Sequence, residues 1–210
     1  HGCRPHELLL FRFSHHVLER DGRLRHADEC LVAAPGVWPN AAVVRALQAA
    51  LGADDGTVVH WWDHEKTVLK EVRGQLLARS EGDRAGLAEF IDSLVGTAEQ
   101  DGRLADLGRL VAHTAFFPGT AGRSSIKCVL PAVLAQSQRV RQRYGRPVYG
   151  TAAMPSRNFP PGWVWVREAA GGVRDPYALL DPLLPDAAEW RAVEAAEQEE
   201  TGLAGFVANG

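Results

Sequence analysis

The feature that most constrains the fold is a short apolar segment that leads directly into an amphipathic helix. Residues 57–62 are rich in β-branched and aromatic side chains, which is typical of an interior strand. The helix predicted after them has its apolar side chains at helical spacing, at Val68, Leu69, Val72 and Leu76. Because strands that alternate with helices are typical of α/β proteins, the sequence predicts an α/β fold.

A β-hairpin and a helix are predicted before this junction. Residues 8–18 alternate between apolar and polar side chains, which predicts a strand with one buried face. That face carries Leu9, Phe11, Phe13 and Val17. Residues 20–22 (Arg-Asp-Gly) favour a turn, and residues 24–32 are predicted to return as the second strand. Asn40 is predicted to be the N-cap of the next helix.

The rest of the chain divides at about residue 144, where prolines become frequent. Before this point, helical patterns occupy residues 84–95, 104–113 and 124–134. After it, we expect one short strand at residues 163–166 and one acidic helix near residues 187–200. We therefore interpret residues 1–143 as an α/β core and residues 144–210 as a Pro-rich extension.

The sequence lacks the features that mark membrane-spanning, secreted and disulfide-bonded proteins. No apolar run approaches the roughly 20 residues that span a bilayer, and no signal peptide is evident. The three cysteines lie far apart without a CxxC pair, which indicates reduced thiols. We therefore expect a cytoplasmic protein with no membrane contact and no obligate protein partner. The chain starts at His1 without methionine and ends just after an apolar stretch, so we expect a piece of a longer protein; trimmed ends or a removed tag are the alternative.

The strongest candidate for chemistry is the run from His60 to Glu65 (HWWDHE), between the predicted strand and its helix. Polar side chains at the carboxyl end of an interior strand lie where α/β sheets place their sites. The alternative is structural: Asp63 would be an N-cap, and Glu65 a first-turn acid that the helix dipole favours. Histidines are numerous, but no HExxH spacing occurs, so a dedicated zinc site is not expected.

A second candidate is the glycine-rich segment 119–127 (GTAGRSSIK), which leads into a helix. Its backbone N–H groups and Lys127 could hold a phosphate group, although the order of a P-loop is absent. The alternative is an ordinary N-capped helix that follows a glycine loop.

Together these segments resemble a family of uncharacterised bacterial proteins, known as a domain of unknown function, that is related to DEDD-type 3′–5′ exonucleases. The two most specific segments are DHEKTVL (residues 63–69) and GRSSIKCVLPAVL (residues 122–134). The others are residues 11–16, 61–62, 105–107, 146–150 and 175–177.

The resemblance implies an RNase H-like mixed sheet flanked by helices, with its first strand upstream of His1. It also implies four acidic residues around two divalent ions, Mg²⁺ or Mn²⁺, that lie roughly 4 Å apart. Glu65 falls at the family's second acidic position and Asp106 at its Asp-Leu step, so both are candidate metal ligands and catalytic residues. His64 would tune Glu65. The candidate contacts to substrate phosphate are Arg123, Ser124, Ser125, Lys127 and His16.

Two departures from the family pattern affect these expectations. The upstream Asp-x-Glu strand and the last acidic motif would fall outside residues 1–210, and the second acidic position holds Glu65 where proven exonucleases usually have Asp. We therefore expect a nuclease-like domain acting on single-stranded or end-frayed nucleic acid in the full-length protein, and no hydrolysis by this fragment. The alternatives are a non-catalytic relative that binds nucleic acid or protein, and a structural module whose acids are caps.

Overall fold

The computed structural model describes residues 6–80, 82–148, 150–152, 159–169 and 172–180, and within them the chain is mixed α/β. The helices are α1 (Asn40–Leu51), α2 (His64–Leu77), α3 (Arg84–Val95), α4 (Leu107–Thr114), α5 (Ile126–Gln136) and α6 (Gln138–Tyr144). The strands are β1 (Arg12–Leu18), β2 (Leu24–Leu31), β3 (Val58–His60), β4 (Leu104–Asp106), β5 (Glu168–Ala169) and β6 (Gly172–Val173). Two 3₁₀ turns lie at Pro118–Thr120 and Pro176–Leu179.

Strands β1 and β2 form the predicted antiparallel hairpin. Gly22 adopts a φ of +80°, a conformation that glycine reaches without a steric penalty, and its N–H closes the turn on the Glu19 carbonyl at 2.9 Å. Strand β1 begins at Arg12, whereas the sequence predicted a start at residue 8. Its inward face is only partly buried, and Phe11, just before it, is 48% exposed. The prediction of one buried face is therefore met only in part.

Asn40 is not the N-cap that its position suggested. It is the first residue of α1 and is fully buried. Its Oδ1 accepts from the N–H of Leu10 at 2.7 Å, and its Nδ2 donates to the Leu8 carbonyl at 3.2 Å and to Gln75 Oε1 at 2.7 Å. The amide therefore ties the segment before β1 to both α1 and α2, which is a tertiary role.

The core forms where α1, α2 and α3 pack together. Its buried side chains are Ala41, Val44, Leu69, Val72, Leu76, Leu87, Phe90, Ile91, Leu94 and Val95. Val58 of β3 and Leu104 of β4 pack against this cluster, so the strand pair rests on the helices. Arg73 of α2 pairs with Asp92 of α3 at 2.6 Å, at the margin of the interface. The helical predictions for α2 and α3 are confirmed.

One strand prediction and one helix prediction need correction. The predicted interior strand is only three residues long, and it pairs in parallel with β4. Val59 in its middle is 60% exposed, so one face of the strand is open. Residues 104–106, predicted as helix, form β4 because they hydrogen-bond to β3, and α4 begins only at Leu107.

In the extension, residues 163–166 were predicted to form a strand, but they do not. They follow α6 as an irregular segment in which the Val166 N–H donates to the Tyr144 carbonyl at 3.2 Å. Where the structure describes this region, its strands are the short pair β5 and β6. The predicted acidic helix at residues 187–200 lies outside the described residues.

The strands of the described residues form three separate two-stranded sheets. The hairpin β1–β2 and the parallel pair β3–β4 are thus not joined by hydrogen bonds into one sheet. The α/β class is confirmed, whereas the RNase H-like arrangement remains a prediction. Among the described helices, none combines the length and apolar character needed to cross a membrane.

Candidate functional site

Two polar side chains meet at the carboxyl ends of β3 and β4. The parallel register places His60, the last residue of β3, beside Asp106, the last residue of β4. His60 is buried, and the Asp106 side chain is 14% exposed. Because both strands end at the same edge, residues 46 positions apart in the chain become neighbours.

Asp106 anchors the start of α4. Its Oδ1 accepts from the backbone N–H of Arg109 at 2.9 Å, which is an N-cap bond, and from the N–H of Trp62 at 3.0 Å. Burial raises the pKa of Asp106. The two backbone N–H groups, together with the positive charges of His60 and Arg109, lower the pKa by more, so it lies below the ordinary value. The carboxylate is therefore held in its charged form.

The second oxygen of this carboxylate lies near Arg109. Within the described residues, Asp106 Oδ2 is buried and has no hydrogen-bond partner, and the Arg109 Nε lies 3.8 Å away. Arg109 also pairs with Asp63 Oδ2 at 3.0 Å. Its guanidinium thus lies between two carboxylates at the entrance to the strand ends.

The link between β3 and α2 adopts an unusual backbone conformation at Trp62, whose φ is +62°. This turn directs the Trp62 N–H to Asp106 and its carbonyl to His60 Nδ1, which is 2.5 Å away. Because a carbonyl can only accept, Nδ1 carries the proton of this bond. Gly108 permits the packing: a Cβ there would lie 3.0 Å from the Trp62 nitrogen and 3.1 Å from its ring.

Glu65 lies in the first turn of α2, where the helix dipole favours an acid. Its carboxylate is 3.7 Å from His60 Nδ1, and the side chain is 52% exposed. Glu65 and Asp106 are therefore both neighbours of His60. His64 is exposed on the same turn.

The glycine-rich segment is bound to this junction by two tryptophans. The indole N–H groups of Trp61 and Trp62 both donate to the Ser124 carbonyl, at 3.1 and 3.0 Å. The chain reverses there through left-handed conformations at Ala121 (φ +51°) and Gly122 (φ +79°). The two candidate segments of the sequence thus lie against each other.

Within that segment, the side chains have structural partners. Ser125 caps α5 by accepting from the Lys127 N–H at 3.3 Å. This agrees with the alternative interpretation of the segment as a glycine loop followed by an ordinary N-capped helix. Arg123 is exposed and donates through Nε to the Thr120 carbonyl at 3.3 Å.

His16 is the predicted substrate residue that belongs to another sheet. It lies on the hairpin, where its ring centroid is 5.2 Å from that of His26. Burial lowers the pKa of His16, and the positive charges of His26 and His15 lower it further. In the described part of the chain, no three or more His, Cys, Asp or Glu side chains are grouped to hold a metal ion, so these histidines do not form such a site.

Arg109 is a site residue that the sequence analysis missed. The signal that could have found it is its spacing of three residues from Asp106, which makes the two side chains neighbours on the first turn of α4. The role of Trp61 and Trp62 in joining the two segments had no such local signal, because their partner lies 62 or 63 positions away.

The donor atoms fit a divalent cation only in part. The buried Oδ2 of Asp106 and the carboxylate of Glu65 are suitable oxygen ligands. Against this, the Arg109 guanidinium lies beside Asp106, and two carboxylates fall short of the grouped ligands that a metal ion needs. The described residues therefore do not by themselves form a complete metal centre.

Comparison with known proteins identifies the family but adds no activity. The family model described as Domain of unknown function (DUF2779) matches residues 1–125 and so includes β3, α2, β4 and the two tryptophans. No curated protein and no solved structure matches the chain. Because the family model covers more than half of the 210 residues, the protein belongs to the DUF2779 domain family.

Proposed function

We propose that this domain is the nuclease-like part of a protein that hydrolyses phosphodiester bonds in single-stranded nucleic acid with the help of Mg²⁺ or Mn²⁺. The observation that carries the proposal is the pair of indole bonds from Trp61 and Trp62 to the Ser124 carbonyl. They hold a segment with two cations, Arg123 and Lys127, against the junction of β3 and α2, beside the acidic residues.

This combination of charges suits a phosphodiester. The guanidinium groups of Arg109 and Arg123 would attract the phosphate, and Glu65 and Asp106 would supply oxygen ligands at the same edge. A divalent ion, when bound, would activate water and polarise the phosphoryl oxygens. The proposal requires further carboxylates from outside the described residues, since Glu65 and Asp106 alone do not form a metal centre.

The test uses the full-length protein with Mn²⁺ or Mg²⁺ and end-labelled single-stranded DNA and RNA. Glu65→Gln and Asp106→Asn each remove one negative charge and keep the shape of the side chain. Asparagine also retains an oxygen that can cap α4. Because each change removes a proposed metal ligand, we expect hydrolysis to fall by about 100-fold or more in either variant.

Glu89→Gln is the matched control, because Glu89 is an exposed carboxylate on α3, outside the site. It should hydrolyse the substrate at the rate of the unchanged protein. Absence of any hydrolysis by the full-length protein, or full activity in the Glu65→Gln variant, would refute the catalytic proposal.

A second function, binding of nucleic acid without hydrolysis, is favoured by one observation. Arg109 already pairs with Asp63 and lies 3.8 Å from Asp106, so the carboxylates have a cationic neighbour without any metal ion. Calorimetric titration of Mn²⁺ into the full-length protein separates the two functions. Stoichiometric Mn²⁺ binding that Asp106→Asn removes supports hydrolysis, and oligonucleotide binding without Mn²⁺ binding supports the second function.

A further inference from the structure

A concentrated positive charge lies on α6 and just beyond it, outside the site described above. The nine residues from 138 to 146 contain Arg139, Arg141, Arg143 and Arg146 and no acidic residue. Arg141 is partly buried, and the other three are exposed. We call these four residues the α6 arginine cluster. It contrasts with the chain as a whole, whose net charge is −3.

Most described arginines on the rest of the surface are neutralised by a carboxylate. The pairs are Arg23–Asp21, Arg25–Glu19, Arg45–Asp83, Arg73–Asp92, Arg79–Glu7, Arg103–Asp54 and Arg109–Asp63. Within the described structure, no member of the α6 arginine cluster has an ion pair of this kind. Four unneutralised guanidinium groups so close together create a local positive potential that attracts anions.

The stability of α6 does not explain this charge. A cation in the last turn of a helix interacts favourably with the helix dipole, which accounts for Arg141 and Arg143. Arg139 lies in the first turn, where the dipole disfavours a cation, and it is four residues from Arg143, a spacing at which like charges repel. Arg146 lies beyond the helix. The helix dipole therefore does not account for Arg139 or Arg146.

Further cationic and aromatic groups lie beside the cluster. The bond from the Val166 N–H to the Tyr144 carbonyl brings the segment before β5 alongside the end of α6. The next residue, Arg167, is exposed and its guanidinium stacks 4.9 Å from the ring centroid of Trp163. The positive surface therefore continues from α6 onto this segment.

We propose that the α6 arginine cluster binds the phosphate backbone of single-stranded nucleic acid. That the anion is a nucleic acid rests on the proposed function. The chemistry of α6 favours a polyphosphate chain over a membrane, because a membrane-bound helix needs an exposed apolar face. The only aliphatic residue of α6 is Val140, and it is partly buried.

The test measures binding of labelled oligothymidylate to the full chain by fluorescence anisotropy, in the presence of a chelator so that no metal-dependent step contributes. The variant is Arg139→Gln with Arg143→Gln. The matched control is Arg12→Gln with Arg20→Gln, which removes the same charge from two exposed positions on the hairpin. Anionic phospholipid vesicles serve as a second ligand.

We expect the cluster variant to bind oligothymidylate about tenfold more weakly than the unchanged chain. The slope of log affinity against log salt should fall by about 1.4, since each lost phosphate contact contributes about 0.7 for a single strand. The control should retain its affinity and slope. Equal losses in both variants, no loss in either, or a preference for vesicles over oligothymidylate would overturn the inference.

This inference and the proposed catalytic function can each fail while the other stands. If the full-length protein hydrolyses nothing but the cluster variant loses oligothymidylate binding, the catalytic proposal fails and this inference stands. If hydrolysis depends on Asp106 but the cluster variant binds oligothymidylate as tightly as the unchanged chain, this inference fails and the catalytic proposal stands.

Discussion

Replacement of Asp106 by alanine should lower the free energy of unfolding by about 2–4 kcal/mol, the sum of two separate losses. Loss of the N-cap bond to the Arg109 N–H costs about 1 kcal/mol. Loss of the acceptor for the partly buried Trp62 N–H costs about 1–3 kcal/mol more. Both bonds use Oδ1, so Asp106→Asn, whose amide oxygen can accept both, should cost only about 1 kcal/mol.

The assay is urea unfolding of both variants and the unchanged chain, followed by tryptophan fluorescence and far-UV circular dichroism. The informative quantity is the difference between Ala and Asn, because it isolates the hydrogen bonds from the charge. If the two variants unfold with the same free energy, or if Ala costs less than about 0.5 kcal/mol, the carboxylate does not organise the junction as described.

The effect of Asp106→Asn on the free energy of unfolding should also depend on pH. Because the folded-state pKa of Asp106 is lowered, its charge contributes stability above the unfolded-state value of about 3.9. That contribution is lost as pH falls through the lower folded-state pKa. The stability difference between the unchanged chain and Asp106→Asn should therefore shrink in acid. A difference that stays constant as the solution is acidified would contradict the assigned pKa direction.

Two further predictions concern other parts of the fold. Asn40→Ala should lower the free energy of unfolding in urea by about 2–4 kcal/mol, because the N–H of Leu10 loses its acceptor and Gln75 loses its donor. A cost under about 0.5 kcal/mol would mean that this buried amide does not hold the segment before β1. Because burial and the neighbouring histidines lower the pKa of His16, protonation opposes folding, so stability should fall as pH drops below about 6.5 toward the folded-state pKa. His16→Gln should flatten that part of the pH–stability curve, and an unchanged curve would show that His16 does not titrate in this way.

The candidate site illustrates what could be predicted from the chain alone. Glu65 and Asp106 were identified as acidic candidates, and the structure makes both neighbours of His60. The role of Asp106 as a cap was not predicted, because residues 104–106 carry a helical pattern. The pairing of β4 with β3 overrides that pattern, since it satisfies the backbone groups of residues 104–106 through hydrogen bonds to a neighbouring strand.

The sequence by itself determined the local elements: the β1–β2 hairpin, with glycine at its turn, and the helices α2 and α3, with their apolar stripes. These elements depend on residues within a few positions of one another, so their signals are local. Only the tertiary structure decided that Asn40 binds the segment before β1, and that Trp61 and Trp62 reach the Ser124 carbonyl. Those contacts join residues 30 to 63 positions apart. No short-range sequence pattern predicts these contacts, because the packing of the helices against the strands decides which distant polar groups meet.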